Sequence, residues 1–210
     1  MGNRGRFGKY GDIKRLDCLR CARSGAHLSG GEKTIKRLRT RQSSGQCLHH
    51  SPDVIVRPTD GSETRFIKRL SRKLFNLYGP YEEIIPRWFE SNMTMTVIAL
   101  VNGQPVGFAM TGELIGGYDF QHAVELLAIA VDPKNQGIGV GKLLLRELER
   151  KTEELGLNRL YLHTATKNYR AQKLFARMGY RTGEIKKSFY PEGQDAFVMY
   201  KELLKIFLNR

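Results

Sequence analysis

The chain has 210 residues, enough for one domain with an extension, and its 40% hydrophobic content supports a buried core. The formal net charge is +14, and residues 1–50 carry 12 Lys and Arg against 3 Asp and Glu, so most of the excess lies at the start. No run approaches the roughly 18 apolar residues of a spanning helix, and no apolar segment follows the basic start as in a secretory signal. The three cysteines all precede residue 50, which excludes a disulfide framework in the remainder. We therefore expect a cytoplasmic protein with no membrane partner.

Residues 1–52 are rich in Gly, Arg and Ser and have no sustained hydrophobic period, so we predict a basic, disordered N-terminal extension. Within it, Cys18 and Cys21 form one pair of soft ligands, and Cys47 and His49 form a second. Two such pairs could together bind a zinc ion, which is an alternative to a disordered segment without metal. Against it, the second pair lacks the C-x-x-C spacing and little hydrophobic sequence supports the segment, so we expect no metal.

The same extension is the one part of the chain where we expect nucleic acid to bind, if it binds at all, because Lys and Arg neutralise phosphates. Only Phe7 and Tyr10 are aromatic within it, so platforms for base stacking are lacking. A solvated basic tail is the competing interpretation.

From Val54 the sequence takes on the periods of regular structure. We predict a short strand Val54–Val56, a helix opened by Ser62 and Glu63, and a second helix over Tyr81–Glu90 after the Tyr78-Gly79-Pro80 break. Two strands, Thr94–Val101 and Val106–Leu114, flank Asn102-Gly103, a strong hairpin signal, with Gly107 as a bulge.

The second half continues with an apolar run that ends at Val131 and predicts a buried strand. A helix from Gly139 to Leu155 is capped by Gly156. The remaining elements are a strand Leu160–Thr166, a helix from Asn168 to Gly179, a strand from Tyr180 and a last strand Ala196–Tyr200. The predicted order is β-α-α-β-β-β-α-β-α-β-β.

The stretch between the buried strand and the Leu-rich helix has the composition of a phosphate loop. Asp132 and Pro133 stop the strand, and glycines follow at 137, 139 and 141. Glycines let the backbone approach a ligand closely, and a helix start offers unpaired N–H groups to anions. The spacing is not G-x-x-x-x-G-K-[ST], since Leu143 follows Lys142, and it is not G-x-G-x-x-G.

The motif that fits is Q-x-x-G-x-G, from Gln136 to Gly141, and here the chain resembles the Gcn5-related N-acetyltransferases, the GNAT family. A second run, Asn168-x-x-Ala171-x-x-Leu174-Phe175 followed by Met178-Gly179-Tyr180, is similar to that family's N-x-x-A-x-x-L-[YF]-x-x-x-G-[FY] pattern. The final stretch, FYPEGQDAFVMYKEL, is similar to the ribosomal-protein alanine acetyltransferase group. The resemblance covers about 150 residues, Val54 to Leu204.

The resemblance implies an α/β (α+β) domain over residues 53–210 with the GNAT acyl-CoA N-acyltransferase fold, a mixed, mostly antiparallel twisted sheet flanked by helices. It implies an N-acetyltransferase that moves the acetyl group of acetyl-CoA to a primary amine by direct attack in a ternary complex. We expect the acceptor to be a protein N-terminus, a lysine or a small amine, and the protein to be a monomer or homodimer. The residues expected to hold acetyl-CoA, mainly through their backbone, are Ile129, Val131, Gln136, Gly137, Ile138, Gly139, Val140, Gly141, Lys142 and Asn168.

An amine is protonated at neutral pH, so a base must take its proton. Two residues are candidates: Glu125, eleven residues before Gln136, and His163, five residues before Asn168. We favour Glu125 slightly, with His163 as a water-relay partner or the alternative base. A structural role for either side chain is the competing interpretation.

The chain departs from the family's pattern at Phe175, where many relatives have a tyrosine as general acid. Either the thiolate leaves without a proton donor, or Tyr190 or Tyr169 supplies the proton, and of these we favour Tyr190. The loss of that tyrosine and the basic extension together motivate an alternative function: a CoA-binding, weakly catalytic protein associated with nucleic acid or the ribosome.

Overall fold

The computed structural model describes residues 53–112 and 123–203. The sequence-predicted extension 1–52, with Cys18, Cys21, Cys47 and His49, and the residues at 113–122 and 204–210 lie outside the described residues. The elements, in chain order, are β1 Val54–Pro58, α1 Thr64–Phe75, α2 Tyr81–Glu90, β2 Met95–Val101, β3 Gln104–Gly112, β4 Ala123–Val131, α3 Val140–Glu154, β5 Arg159–Ala165, α4 Tyr169–Arg177, β6 Arg181–Lys186 and β7 Ala196–Glu202. The predicted order of strands and helices is confirmed.

The seven strands form one sheet in the order β1-β2-β3-β4-β5-β7-β6. Neighbouring strands run antiparallel except for β4 and β5, which are parallel and are joined by the crossover helix α3. A parallel connection needs such a crossover, whereas the antiparallel β2–β3 pair closes through the two-residue turn at Asn102 and Gly103. Both turn residues have positive φ, 50° and 78°, as the Asn-Gly pair predicted. The mixed, mostly antiparallel sheet flanked by helices is thus confirmed.

Each face of the sheet carries its own hydrophobic core. On one face α3 buries Leu144, Leu145 and Leu148 against strand residues that include Leu126, Leu160 and Leu162. On the other face α1 and α2 pack on residues that include Phe108, Ala128 and Ala130. Leu126 and Ala128, although only two residues apart, therefore lie on opposite faces of β4.

The bulge predicted at Gly107 lies one residue earlier. Ala99 pairs with Gly107 while Leu100 pairs with Pro105, which leaves Val106 as the extra residue. Gly107 has a different reason to be glycine: a β-carbon there would lie 2.7 Å from the Ala130 carbonyl oxygen and 3.2 Å from Leu144 Cδ1. Its absence lets β3 and β4 lie close under α3.

Candidate active site

The parallel strands β4 and β5 separate part-way along their length. They pair from Ala123 with Arg159 to Leu126 with Leu162, and beyond that rung β5 continues with β7 while β4 continues with β3. The register of β4 against β3 shifts at the same level, because Thr111 pairs with Leu126 and Met110 with Ala128. Leu127 is the extra residue of a β-bulge, which bends the strand locally. A cleft therefore opens between β4 and β5 beyond Leu126.

The edge of β4 that faces this cleft presents backbone polar groups. The Asp132 N–H donates to the Val106 carbonyl oxygen on the β3 side, at 2.7 Å. Successive peptide groups along a strand point to opposite edges, so Ile129 and Val131 direct their N–H and C=O groups toward the cleft. The Val131 carbonyl already accepts a hydrogen bond from Gln136 Nε2 at 2.8 Å, which ties the following loop to the end of the strand.

The loop after β4 begins with a short 3-10 turn, Pro133–Asn135, that Asp132 caps. Asp132 Oδ1 accepts the Lys134 N–H at 3.1 Å, and Oδ2 lies 3.2 Å from the Lys73 ammonium of α1. The Lys134 backbone hydrogen bond, aided by the Lys73 charge, holds the pKa of Asp132 below its usual value. The carboxylate thus fixes where the glycine-rich segment starts.

Gly137 and Gly139 adopt φ of 88° and 95°, values that favour glycine, and a β-carbon at either would meet no atom within 4 Å. Among the described residues, the backbone N–H groups from Gly137 to Lys142 donate to no other part of the chain. These donors precede or open α3, where the helix dipole also favours an anion. The loop can accommodate a diphosphate, which needs several open backbone donors that it can approach closely.

Behind this loop, α3 and α4 approach each other closely at Gly141. A β-carbon there would lie 3.3 Å from Leu174 Cδ2 and 3.8 Å from Val131 Cγ2. Val140 turns its side chain into the α3 core, so only its backbone faces outward, whereas Ile138 and Lys142 have exposed side chains.

Asn168 caps α4, and its Oδ1 accepts the Ala171 N–H at 3.2 Å. Burial raises the pKa of the nearby Tyr78 phenol, and a hydrogen bond from the Asn168 side chain partly opposes that shift. Tyr78 ends the short turn after α1, so Asn168 connects the start of α4 with the α1–α2 connection.

The two candidate bases touch each other. His163 Nδ1 lies 2.6 Å from Glu125 Oε1, and each side chain is only 10% exposed. An imidazole N–H at Nδ1 donating to the carboxylate leaves Nε2 as an acceptor. That Nε2 is buried and has no hydrogen-bond partner among the described residues. Nε2 is therefore the ring nitrogen of this pair that is left to accept a proton.

Aromatic rings enclose this pair. Phe189 stacks flat on the His163 imidazole, with ring centroids 4.1 Å apart and planes 11° apart. Tyr190 follows, and its hydroxyl donates to the His163 carbonyl oxygen at 3.4 Å. Its ring lies 4.8 Å from that of Tyr78 and 6.3 Å from that of Tyr81. The β6–β7 loop and the α1–α2 connection thus meet over the Glu125–His163 pair.

The meeting of these two segments is fixed by further contacts. Gln194 Nε2 donates to the Leu77 carbonyl oxygen at 2.6 Å, and a β-carbon at Gly79 would lie 2.8 Å from Pro191 Cγ. Gly79 also has φ of 138°, so glycine is required there on both grounds.

The structure separates the aromatic candidates for a general acid. Phe175 is 2% exposed within the α3 core, so it only packs. Tyr169 is 66% exposed at the start of α4, whereas Tyr190 lies beside His163.

The sequence analysis missed Tyr78, Phe189 and Arg170 as site residues. In the sequence, Tyr78 belongs to a Tyr-Gly-Pro break, and Phe189 is the first residue of the final stretch FYPEGQDAFVMYKEL. Arg170 Nη1 donates to Gln136 Oε1 at 2.9 Å, which brings a cation from α4 to the glycine-rich loop. The usable signal was its position two residues after the motif asparagine.

Residues 53–112 and 123–203 contain no group of three or more His, Cys, Asp or Glu side chains arranged to hold a metal ion. Over the same ranges, no helix combines the length and the apolarity needed to cross a membrane.

The cleft, the glycine-rich loop and the order of elements have a counterpart among known families. The model of the acetyltransferase (GNAT) family matches residues 64–180, more than half of the chain. The chain belongs to this family. The predicted family, fold class and enzyme class, an acetyl-CoA-dependent acyltransferase, are thereby confirmed.

Individual GNAT proteins resemble the chain to different extents. An uncharacterized N-acetyltransferase of Methanocaldococcus jannaschii is 25% identical over 71% of this chain and 92% of its own length. The [ribosomal protein bS18]-alanine N-acetyltransferase of Escherichia coli K12 is 32% identical, but the match covers 47% of this chain and 64% of that enzyme. A Salmonella typhimurium protein solved with its cofactor acetyl-CoA has a TM-score of 0.61, is 18% identical, and is matched over 72% of this chain and 95% of its own. That last likeness shows the fold alone.

Proposed function

We propose that this GNAT protein is an N-acetyltransferase that transfers the acetyl group of acetyl-CoA to a primary amine by direct attack in a ternary complex. The observation that carries the proposal is the contact between Glu125 and His163 beside a cleft whose floor has unpaired backbone donors. One part of the site can bind a diphosphate, and the other can take a proton.

The binding part uses the backbone. The N–H groups from Gly137 to Lys142 and the start of α3 take the diphosphate of acetyl-CoA. The edge of β4 at Ile129 and Val131 pairs with the amides of the pantetheine arm, as an added strand would. Asn168 lines the cleft from the start of α4. Acetyl-CoA supplies the activated acyl group, a thioester with a good leaving group.

The proton-accepting part divides the roles between two residues. Glu125 orients His163 through Nδ1, and His163 Nε2 takes the proton from the amine, directly or through one water. The sequence favoured Glu125 as the base, and that alternative remains, with His163 as the relay. The 2.6 Å contact supports treating them as a unit in either case.

The amine nitrogen, once deprotonated, attacks the thioester carbonyl carbon, the C–S bond breaks, and the leaving thiolate takes a proton. With Phe175 in the core, we assign this proton to Tyr190, whose hydroxyl reaches the His163 carbonyl. The half-buried Tyr78 is the second candidate, because its ring lies 4.8 Å from that of Tyr190.

Among acceptors, we place protein N-termini first. The support is the similarity to a relative named a [ribosomal protein bS18]-alanine N-acetyltransferase. Lysine side chains and small amines are the other acceptors to be tested.

Thiol release from acetyl-CoA, followed with a chromogenic disulfide, tests the proposal on four substrates: a peptide with a free N-terminal alanine, the same peptide with a blocked N-terminus, a blocked peptide with one lysine, and a small diamine. We expect turnover only with the free N-terminus. Turnover with none of the amines, although CoA binds, would overturn the assignment.

That last outcome is what the second candidate function predicts, a CoA-binding protein with weak or no catalysis. The specific observation in its favour is that Phe175, which has no proton to donate, is buried at the position where many relatives have a tyrosine acid. Thermal stabilisation by CoA is expected under both functions, so turnover alone distinguishes them.

A further inference from the structure

Arg170 lies at a position where a positive charge is unfavourable for the stability of the ligand-free protein. It is the second residue of α4 and follows the capping Asn168, and the first turn of α4 has no acidic residue. A positive charge at a helix N-terminus opposes the helix dipole. Among the described residues, no carboxylate forms an ion pair with Arg170. The cation therefore adds to local positive potential instead of cancelling it.

One hydrogen bond nevertheless orients its guanidinium. Arg170 Nη1 donates to Gln136 Oε1 at 2.9 Å, and Gln136 Nε2 donates to the Val131 carbonyl oxygen at 2.8 Å. The Gln136 amide thus bridges the end of β4 to the guanidinium of α4. A guanidinium has five N–H donors, and this contact uses one of them.

The bridge holds the guanidinium beside the segment with unpaired donors, Gly137 to Lys142. The nearest carboxylate of that loop, Asp132, is already paired with Lys73. Two helix starts, a row of open amides and an unneutralised guanidinium thus surround one place on the surface. Guanidinium groups bind phosphate oxygens through paired, charge-assisted hydrogen bonds.

We propose that Arg170 binds a phosphate group of CoA and that Gln136 is the positioning residue that aims it. The inference rests on the proposed function and adds a side-chain contact to the backbone contacts assigned above. CoA offers two kinds of phosphate, the diphosphate and the 3′-phosphate of its ribose.

Isothermal titration of the full chain with CoA and with dephospho-CoA, which lacks the 3′-phosphate, tests this contact without using turnover. We expect Arg170→Ala to weaken CoA binding by about tenfold or more, because a charge-assisted hydrogen bond to a phosphate is lost. Gln136→Ala should weaken it by a smaller factor. A loss confined to CoA identifies the 3′-phosphate as the partner, and an equal loss with both ligands identifies the diphosphate.

The matched control is Arg177→Ala, which removes the same charge from the exposed last residue of the same helix. It should leave both affinities within about twofold of the wild-type values, since it lies about 10 Å along the helix axis from Arg170. Equal affinities for Arg170→Ala and Arg177→Ala, with wild-type protein binding CoA, would overturn the inference and leave the proposed function standing. Wild-type protein that binds no CoA at millimolar concentration would instead end the proposed function.

A structural role for Arg170 is tested on the free protein. Because the cation opposes the helix dipole, Arg170→Ala should unfold at the same temperature as the wild type or slightly above it. If Arg170→Ala unfolds at a temperature so low that part of it is unfolded during the titration, the loss of affinity has a structural cause and counts against a phosphate contact.

Discussion

Replacing Glu125 and His163 singly and together is the sharpest test of the proposed chemistry. Glu125→Gln keeps the size of the side chain and an oxygen that can accept the Nδ1–H, but it removes the charge. His163→Ala removes the nitrogen to which the proton is assigned. General acid–base catalysis contributes about 10²- to 10⁴-fold, so we expect kcat/KM to fall by that factor for His163→Ala, equivalent to about 3 to 5 kcal/mol in the barrier.

The double variant shows whether Glu125 and His163 act together in one proton transfer or contribute independently to the rate. Because the two side chains are in contact at 2.6 Å, their effects should not add. We expect the double variant to be no slower than His163→Ala within about threefold, as for residues that act through one another. Multiplication of the two single effects would refute the division of roles, and falls under about tenfold in both single variants would reject both residues as bases.

Stability has to be separated from catalysis in this test. Leaving one partner of a buried hydrogen bond unsatisfied costs about 1 to 3 kcal/mol, or several degrees in the unfolding temperature. Glu149→Gln is the matched control, since Glu149 is also buried and lies 2.7 Å from the Lys201 ammonium, with its helix on the opposite face of the sheet. It should lower the unfolding temperature comparably while kcat/KM of the folded enzyme stays within about twofold.

Three further outcomes follow from the geometry. Tyr190→Phe should lower kcat more than KM rises if its hydroxyl supplies the proton to the thiolate, and steady-state kinetics with the best amine measures the split. Gly107→Ala should lower the free energy of unfolding in urea by about 1 to 3 kcal/mol, because its β-carbon would meet a backbone oxygen at 2.7 Å, whereas Gly183→Ala, with 3.5 Å to its nearest neighbour, should cost under about 0.5 kcal/mol. Asp132→Asn should unfold at a lower temperature at pH 7, by the equivalent of at most about 1 kcal/mol, and this difference should disappear as the pH falls.

The sign of the last effect follows from the lowered pKa of Asp132. A carboxylate whose pKa is depressed by folding stabilises the native state above its unfolded value of about 3.9 and loses that contribution as the pH falls through the folded value. Melting temperatures at pH 7, 5, 4 and 3 check it. A gap that persists undiminished at pH 3 contradicts the role given to Asp132. Equal kcat for Tyr190→Phe and wild type would contradict proton donation by Tyr190, and equal stabilities of the two glycine variants would contradict the close approach at Gly107.

The order of elements could be predicted because short-range signals mark it. Asn102-Gly103 determines a hairpin by backbone geometry, Gly156 ends α3 with φ of 75°, and the apolar run up to Val131 is too short for a helix of the usual length. The bulge near Gly107 was predicted one residue away from its position. A glycine in a strand indicates that another group approaches the backbone closely. The position of the bulge depends instead on the register of β3 with β2, which cannot be deduced from the local sequence.

The candidate site could be predicted only in part for a related reason. The loop from Gln136 to Gly141 is contiguous, so its spacing is visible in the sequence. Glu125 and His163 are 38 residues apart, and the sequence does not reveal their contact, because it depends on the parallel register of β4 and β5. Tyr78 and Phe189 have the composition of core residues, and only the meeting of two loops assigns them to the cleft.

Leu127 connects the fold to the chemistry. Side chains alternate between faces along a strand, so counting back from Ala128, which packs toward α1 and α2, would direct Glu125 to the α3 face. The extra residue at the bulge reverses that alternation, so Leu126 packs toward α3 and Glu125 turns to the face where His163 lies.

The same bulge lies at the last rung that β4 shares with β5, beyond which the edge at Ile129 and Val131 is open to the cleft. One inserted residue therefore accounts for both halves of the site. It directs the Glu125 carboxylate toward the His163 imidazole, and it bends β4 at the point where the peptide groups of the strand become available to a ligand. The proton-accepting pair consequently lies at the apex of the cleft, where a cofactor arm running along the open edge of β4 would end.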